Sequence, residues 1–122
     1  MTLTPLEMAV FEKLCEQLPE QDRIALEKQI RGMKVLAREN TGAGFFTRFE
    51  LAESNSGPIK ADVKSYCVTA KINDVTDALA FILWLKDGYV DYLEGYTLAL
   101  RDTKDLSLTS LEFEVYYGFR TP

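Results

Sequence analysis

The sequence predicts an α+β fold: two N-terminal helices packed on a curved, mainly antiparallel sheet of about six strands. Three observations point there. Apolar residues recur at helical spacing only before Gly32. Beyond it the period drops to two, the signature of half-buried strands. The strand-like runs are joined mostly by short Gly-, Asn- and Asp-rich turns, which suit antiparallel neighbours.

Thr4-Pro5-Leu6-Glu7 reads as a helix start, with Thr4 as N-cap, Pro5 at the first helical position and Glu7 completing a capping box. Leu6, Val10, Leu14 and Leu18 follow at i, i+4 spacing, widened by Phe11 and Cys15. Pro19 ends this helix. A second begins near Glu20, with Glu20 and Asp22 favourable in its first turn. Ile24, Ala25 and Ile30 predict its buried stripe, and Gly32 its stop.

Met33 to Asn40 reads as a strand with Val35 and Ala37 on one face. Thr41-Gly42-Ala43-Gly44 is a turn, and Phe45, Thr47, Phe49 and Leu51 alternate with Phe46, Arg48 and Glu50 in the next strand. Lys64 to Ile72 is predicted as a third strand, with Tyr66, Val68, Ala70 and Ile72 on one face. Asn73 to Asp77 connects it to the apolar run Ala78 to Lys86. Leu111, Phe113, Val115, Tyr117 and Phe119 mark a last strand. One domain, 1–122, fits this length. Ser54-Asn55-Ser56-Gly57-Pro58 is too short to divide it, and each side alone would lack a core.

The densest stretch, FILWLKDGYVDYLEGYTLAL, spans residues 81–100. Asp87-Gly88 marks a two-residue hairpin turn, because a type I′ turn needs positive φ at both positions. A regular ladder then pairs Lys86 with Tyr89, Leu85 with Val90, Trp84 with Asp91, and Phe81 with Glu94. This places Leu79, Phe81, Leu83, Leu85, Val90, Tyr92, Glu94 and Tyr96 on one face. That face is the greasier and is predicted to be the core face. Glu94 would then be a carboxylate among aromatic rings, needing a tyrosine hydroxyl, a backbone N–H, Arg38 or Arg48 as partner. A bulge at Gly95 would instead turn it outward. Gly95 itself implies the close approach of a bulky neighbour.

A net charge of −5 argues against nucleic acid as a partner and is compatible with a basic one. The chain has no histidine, which excludes Ser-His-Asp and Cys-His catalysis and histidine metal sites. Cys15 and Cys67 read as free thiols in different elements. Asn40-Thr41-Gly42-Ala43-Gly44 lacks the Gly-Lys-Ser/Thr ending of a phosphate loop and joins two strands. No metal-ligand spacing occurs, and no cofactor is expected. MTLTPLEMAVFEKL carries no basic leader and ALAFILWL is too short to span a bilayer, so a cytoplasmic protein with no membrane partner is expected.

Arg38-Glu39-Asn40-Thr41-Gly42-Ala43-Gly44-Phe45-Phe46-Thr47 resembles the R-E-x-T-G-x-G-F-[FY]-T segment of a group of small bacterial proteins. Phe81 to Tyr89, followed by Leu93-Glu94-Gly95-Tyr96-Thr97, resembles their DG…LEGY hairpin. Some of that group resemble immunity proteins that neutralise secreted toxins by binding them. The resemblance implies a binding role and supplies no catalytic residues.

Two functions follow as expectations. The first is a non-enzymatic protein-binding protein, in the resemblance's terms an immunity protein, occluding a basic toxin surface. Asp91, Glu112 and Glu114 would steer the encounter. The second is a small-molecule-binding protein or enzyme using a sheet cleft, with Glu94 as anchor or base and Tyr92 and Tyr96 as its hydrogen-bond partners. A homodimer through the sheet is a further option.

Overall fold

Thr4 opens the first helix by the capping box that the sequence predicts. The Glu7 backbone N–H donates to Thr4 Oγ1 at 3.1 Å, and the Thr4 N–H donates to Glu7 Oε1 at 2.8 Å. The structure is a computed structural model and describes residues 2–51, 57–100, 102–108 and 111–118. Helix α1 spans Pro5–Gln17 and α2 spans Glu20–Gly32. Helix α1 buries Leu6, Val10, Phe11 and Leu14, each worth about 1.5–3 kcal/mol. On α2 the buried stripe differs from the expected one. Ile24 is 41% exposed, whereas Asp22, Ala25, Leu26 and Gln29 are buried. Polar Asp22 and Gln29 can face inward because each reaches backbone: the Lys60 N–H donates to Asp22 Oδ1, and Gln29 bridges Gly57, Gly88 and Val90. Among the described residues, no helix is long and apolar enough to cross a membrane.

Six strands follow: β1 (Met33–Asn40), β2 (Gly44–Leu51), β3 (Val68–Ile72), β4 (Val75–Lys86), β5 (Tyr89–Thr97) and β6 (Phe113–Tyr117). All pairs are antiparallel, and the sheet order is β1-β2-β5-β4-β3-β6. The sheet is open, with β1 and β6 at its edges. Its ladders are interrupted between Val35 and Ala37, between Ala70 and Ile72, and between Trp84 and Leu85. Such bulges bend the strands that carry them. Helix α1 bridges the two edges: it lies against β6, while Glu7 reaches Arg38 in β1 and Thr47 in β2.

Several boundaries moved. The expected third strand starts at Val68. Lys64 belongs to a 3₁₀ turn, Val63–Ser65, held by Ser65 Oγ donating to the Asp62 carbonyl at 2.7 Å. Asn73 and Asp74, at φ 46° and 71°, make a two-residue turn, so β4 begins at Val75. The Leu36 bulge breaks the alternation in β1, leaving Val35 buried and Ala37 exposed. Phe119 lies outside the described residues.

Candidate functional site

Asp87 and Gly88 form the expected turn, with φ 54° and 87°. Lys86 pairs with Tyr89 and Leu85 with Val90, as a regular ladder requires. The next pair is Trp84 with Tyr92, because Asp91 is an extra residue on β5. From that bulge onward every β5 side chain changes face. Leu93 and Gly95 point to the helix side, opposite Leu83 and Phe81. Tyr92, Glu94 and Tyr96 point to the other side. The correction to the core-face placement of Glu94 is therefore one inserted residue, at Asp91 and not at Gly95.

The sheet pairing builds the open face row by row. Arg48, Tyr92 and Trp84 form one row across β2, β5 and β4. Phe46, Glu94 and Ile82 form the next, and Tyr96 and Ala80 the third, where Ala80 is fully buried and the face closes over. Neither helix covers these rows. Glu7, Phe11 and Gln29 all meet the opposite face, through Thr47, Phe49 and the Val90 backbone. Arg48 is exposed, and Phe46, Ile82, Trp84, Tyr92, Glu94 and Tyr96 are partly exposed.

The open face is ordered by its own contacts. Trp84 and Tyr92 stack with centroids 5.8 Å apart and planes 17° from parallel. The Arg48 guanidinium lies 5.4 Å from the Tyr92 centroid, and the Phe46 ring tilts against Tyr92 at 5.8 Å. Glu94 is held by a residue that was not among its expected partners. The Trp84 indole N–H donates to Glu94 Oε1 at 3.0 Å. Arg38 is committed elsewhere, and Arg48 sits over Tyr92 instead. Burial pushes the Tyr96 phenol above its ordinary pKa, and the neighbouring Cys67 and Glu94 push it further. Beside Trp84 lies a depression of about 220 Å³, lined also by Ile59, Ala61, Asp62 and Lys64.

The other expected site residues are not brought to this patch, with one exception. Asp91 stands with Tyr92 opposite Trp84, at the bulge. Glu112 and Glu114 are exposed near β6, three strand positions from β5. They border a separate depression of about 160 Å³ with Lys71 and Asn73. Phe46, Arg48, Ile82 and Trp84 complete the face and were not predicted as site residues. The signal was present: Val90 and Leu93 are both apolar at an odd spacing, which a regular strand cannot bury on one face.

The backbone N–H groups of the glycine-rich turn are already taken within the fold. The Gly42 N–H donates to Asn40 Oδ1, the Ala43 N–H to Thr41 Oγ1 and the Gly44 N–H to Thr103 Oγ1. Thr103 is fully buried, and its own N–H donates to the Gly42 carbonyl at 2.8 Å. These bonds tie the segment after β5 onto the β1–β2 turn. Cys15 and Cys67 are free thiols. Among the described residues, no group of three or more His, Cys, Asp or Glu could hold a metal ion.

No protein-family model matches the chain, and neither a curated protein nor a solved structure does.

Proposed function

We propose that this chain is a non-enzymatic protein-binding protein whose contact surface is the open sheet face. The observation that carries the reading is the stacked Trp84–Tyr92 pair with Arg48 against it, partly exposed on a face neither helix covers. Trp, Tyr and Arg are the residue types that carry most binding energy at protein interfaces. Rings already stacked and hydrogen-bonded lose little freedom on binding. A net charge of −5 favours a basic partner and speeds its approach. Neutralising a basic toxin, the immunity role implied by the resemblance of the Arg38–Thr47 and Phe81–Thr97 motifs, is the biological setting these properties suit.

The test is recovery of a stoichiometric partner from the native host, followed by a paired substitution. Trp84→Arg on the open face should abolish capture. Met8→Arg should leave it intact, since Met8 is 48% exposed on α1. Loss with Met8→Arg alone would move the contact to the helices. Light scattering on the purified chain would reveal a homodimer that uses this face itself.

A further inference from the structure

We propose that Glu94 is the seat for a basic side chain, Lys or Arg, of the bound protein. The proposal rests on the open-face reading and names what that face recognises.

Glu94 is unusual for a strand residue in the middle of an aromatic patch. Its Oε1 accepts the Trp84 indole N–H, and among the described residues its second oxygen takes no hydrogen bond or ion pair. The residues around it in register are Phe46 and Ile82 on the flanking strands and Tyr92 and Tyr96 along its own. A carboxylate ringed by apolar surface is poorly screened by water, so an arriving cation gains more there than at an open acidic site. Aromatic faces add to the attraction. Arg48 over Tyr92 shows a guanidinium already lying on one ring of this patch. The local charge also favours a cation. Glu39 is opposite Phe46 and Asp91 stands at Trp84, so with Glu94 three carboxylates share this region with Arg48.

The chain has one tryptophan. Its indole N–H gives a single NMR signal, placed on the Glu94 carboxylate itself. The probes are octalysine, octaglutamate and tetramethylammonium at physiological salt. Octalysine should shift the indole signal saturably, and octaglutamate should not. Glu94→Gln keeps an oxygen for the indole and removes only the charge, and should weaken octalysine about tenfold or more. Glu20→Gln removes the same charge from exposed α2 and should change the affinity less than about twofold. Melting curves of both variants separate lost binding from lost folding.

The proposal is overturned if octalysine leaves the indole signal in place, or if Glu20→Gln weakens binding as much as Glu94→Gln. It is also overturned if tetramethylammonium, at equal concentration, matches octalysine, which would make a small quaternary amine the occupant. Failure here, with partner capture still lost in Trp84→Arg, removes the Glu94 seat and leaves the open-face reading standing. Partner capture that survives Trp84→Arg removes both.

Discussion

Gly44 and Gly95 meet backbone to backbone: a Cβ on Gly44 would stand 1.9 Å from the Gly95 carbonyl oxygen. A Cβ on Gly95 would in turn stand 2.6 Å from the Phe81 ring. Each glycine lies in one of the two sequence motifs, so the motifs are neighbours across the β2–β5 ladder. Gly44 also has φ 148°, which side-chain-bearing residues rarely adopt. Gly44→Ala should therefore cost about 3 kcal/mol or more, because a backbone neighbour cannot move aside. Gly95→Ala should cost about 1–3 kcal/mol, since the Phe81 ring can tilt. Denaturant midpoints of the two variants check the order.

Glu7 is a buried carboxylate whose partners come from three elements. Arg38 Nε donates to its Oε2 at 3.0 Å and Arg38 Nη2 to its Oε1 at 2.5 Å, with Thr47 Oγ1 at 2.5 Å from Oε2 and the Thr4 N–H completing the set. Arg38→Ala would leave the charge buried and uncompensated, and should cost about 3–5 kcal/mol. A Glu7→Leu, Arg38→Met double variant should cost less than the sum of its single changes, with a coupling of about 1 kcal/mol or more. Chemical denaturation of the full cycle measures this.

Gln29 pins the β4–β5 turn from α2. Its side-chain amide nitrogen, Nε2, donates to the Gly57 and Gly88 carbonyls at 3.2 and 3.1 Å, while Oε1 accepts the Val90 N–H at 2.9 Å. Gln29→Leu would keep the volume and strand these groups in a buried place. We expect about 2–4 kcal/mol of destabilisation and much faster hydrogen exchange at Val90. Unchanged exchange there would show that water replaces the side chain without cost.

The Cys15 thiol is pushed up from its ordinary 9.0 to about 11, first by burial and then by Glu27. Its folded-state pKa exceeds the unfolded one, so the folded chain holds its proton more tightly. Stability from this group is complete below about pH 9 and is lost as pH rises toward about 11. The same proton hold predicts slow alkylation of Cys15 in the native state at pH 8, sped up by denaturant. Mass mapping of iodoacetamide adducts, compared in Cys15→Ser, would show this. Rapid native labelling at Cys15 would contradict it.

Much of the fold was legible because its signals are local. The Thr4–Glu7 capping box, the Asp87-Gly88 turn and the alternation of Phe45, Thr47 and Phe49 each lie within a few residues, and each appears as read. The misreadings share a cause. Gln29 faces inward and Ile24 outward because backbone groups from distant loops satisfy the Gln29 amide, and no helical period contains that information. Glu7 looks like a cap in sequence and becomes an ion-pair centre only when Arg38 and Thr47 arrive by tertiary folding. Glu94 stands out in the sequence, but its partner, Trp84, depends on which face of the sheet it occupies. A bulge of one residue decides that, and bulges leave only a faint mark in sequence.

The extra residue at Asp91 is in effect a parity bit for the second half of β5. Even parity would send two tyrosines and a carboxylate into the helix-filled interior and leave Leu93 in water. Odd parity does the reverse. A ladder that paired Asp91 with Trp84 instead of bulging it would set Glu94 opposite Phe81 and take it away from the Trp84 indole. Whether that one residue is paired or bulged thus selects which side of the strand this molecule shows to the outside.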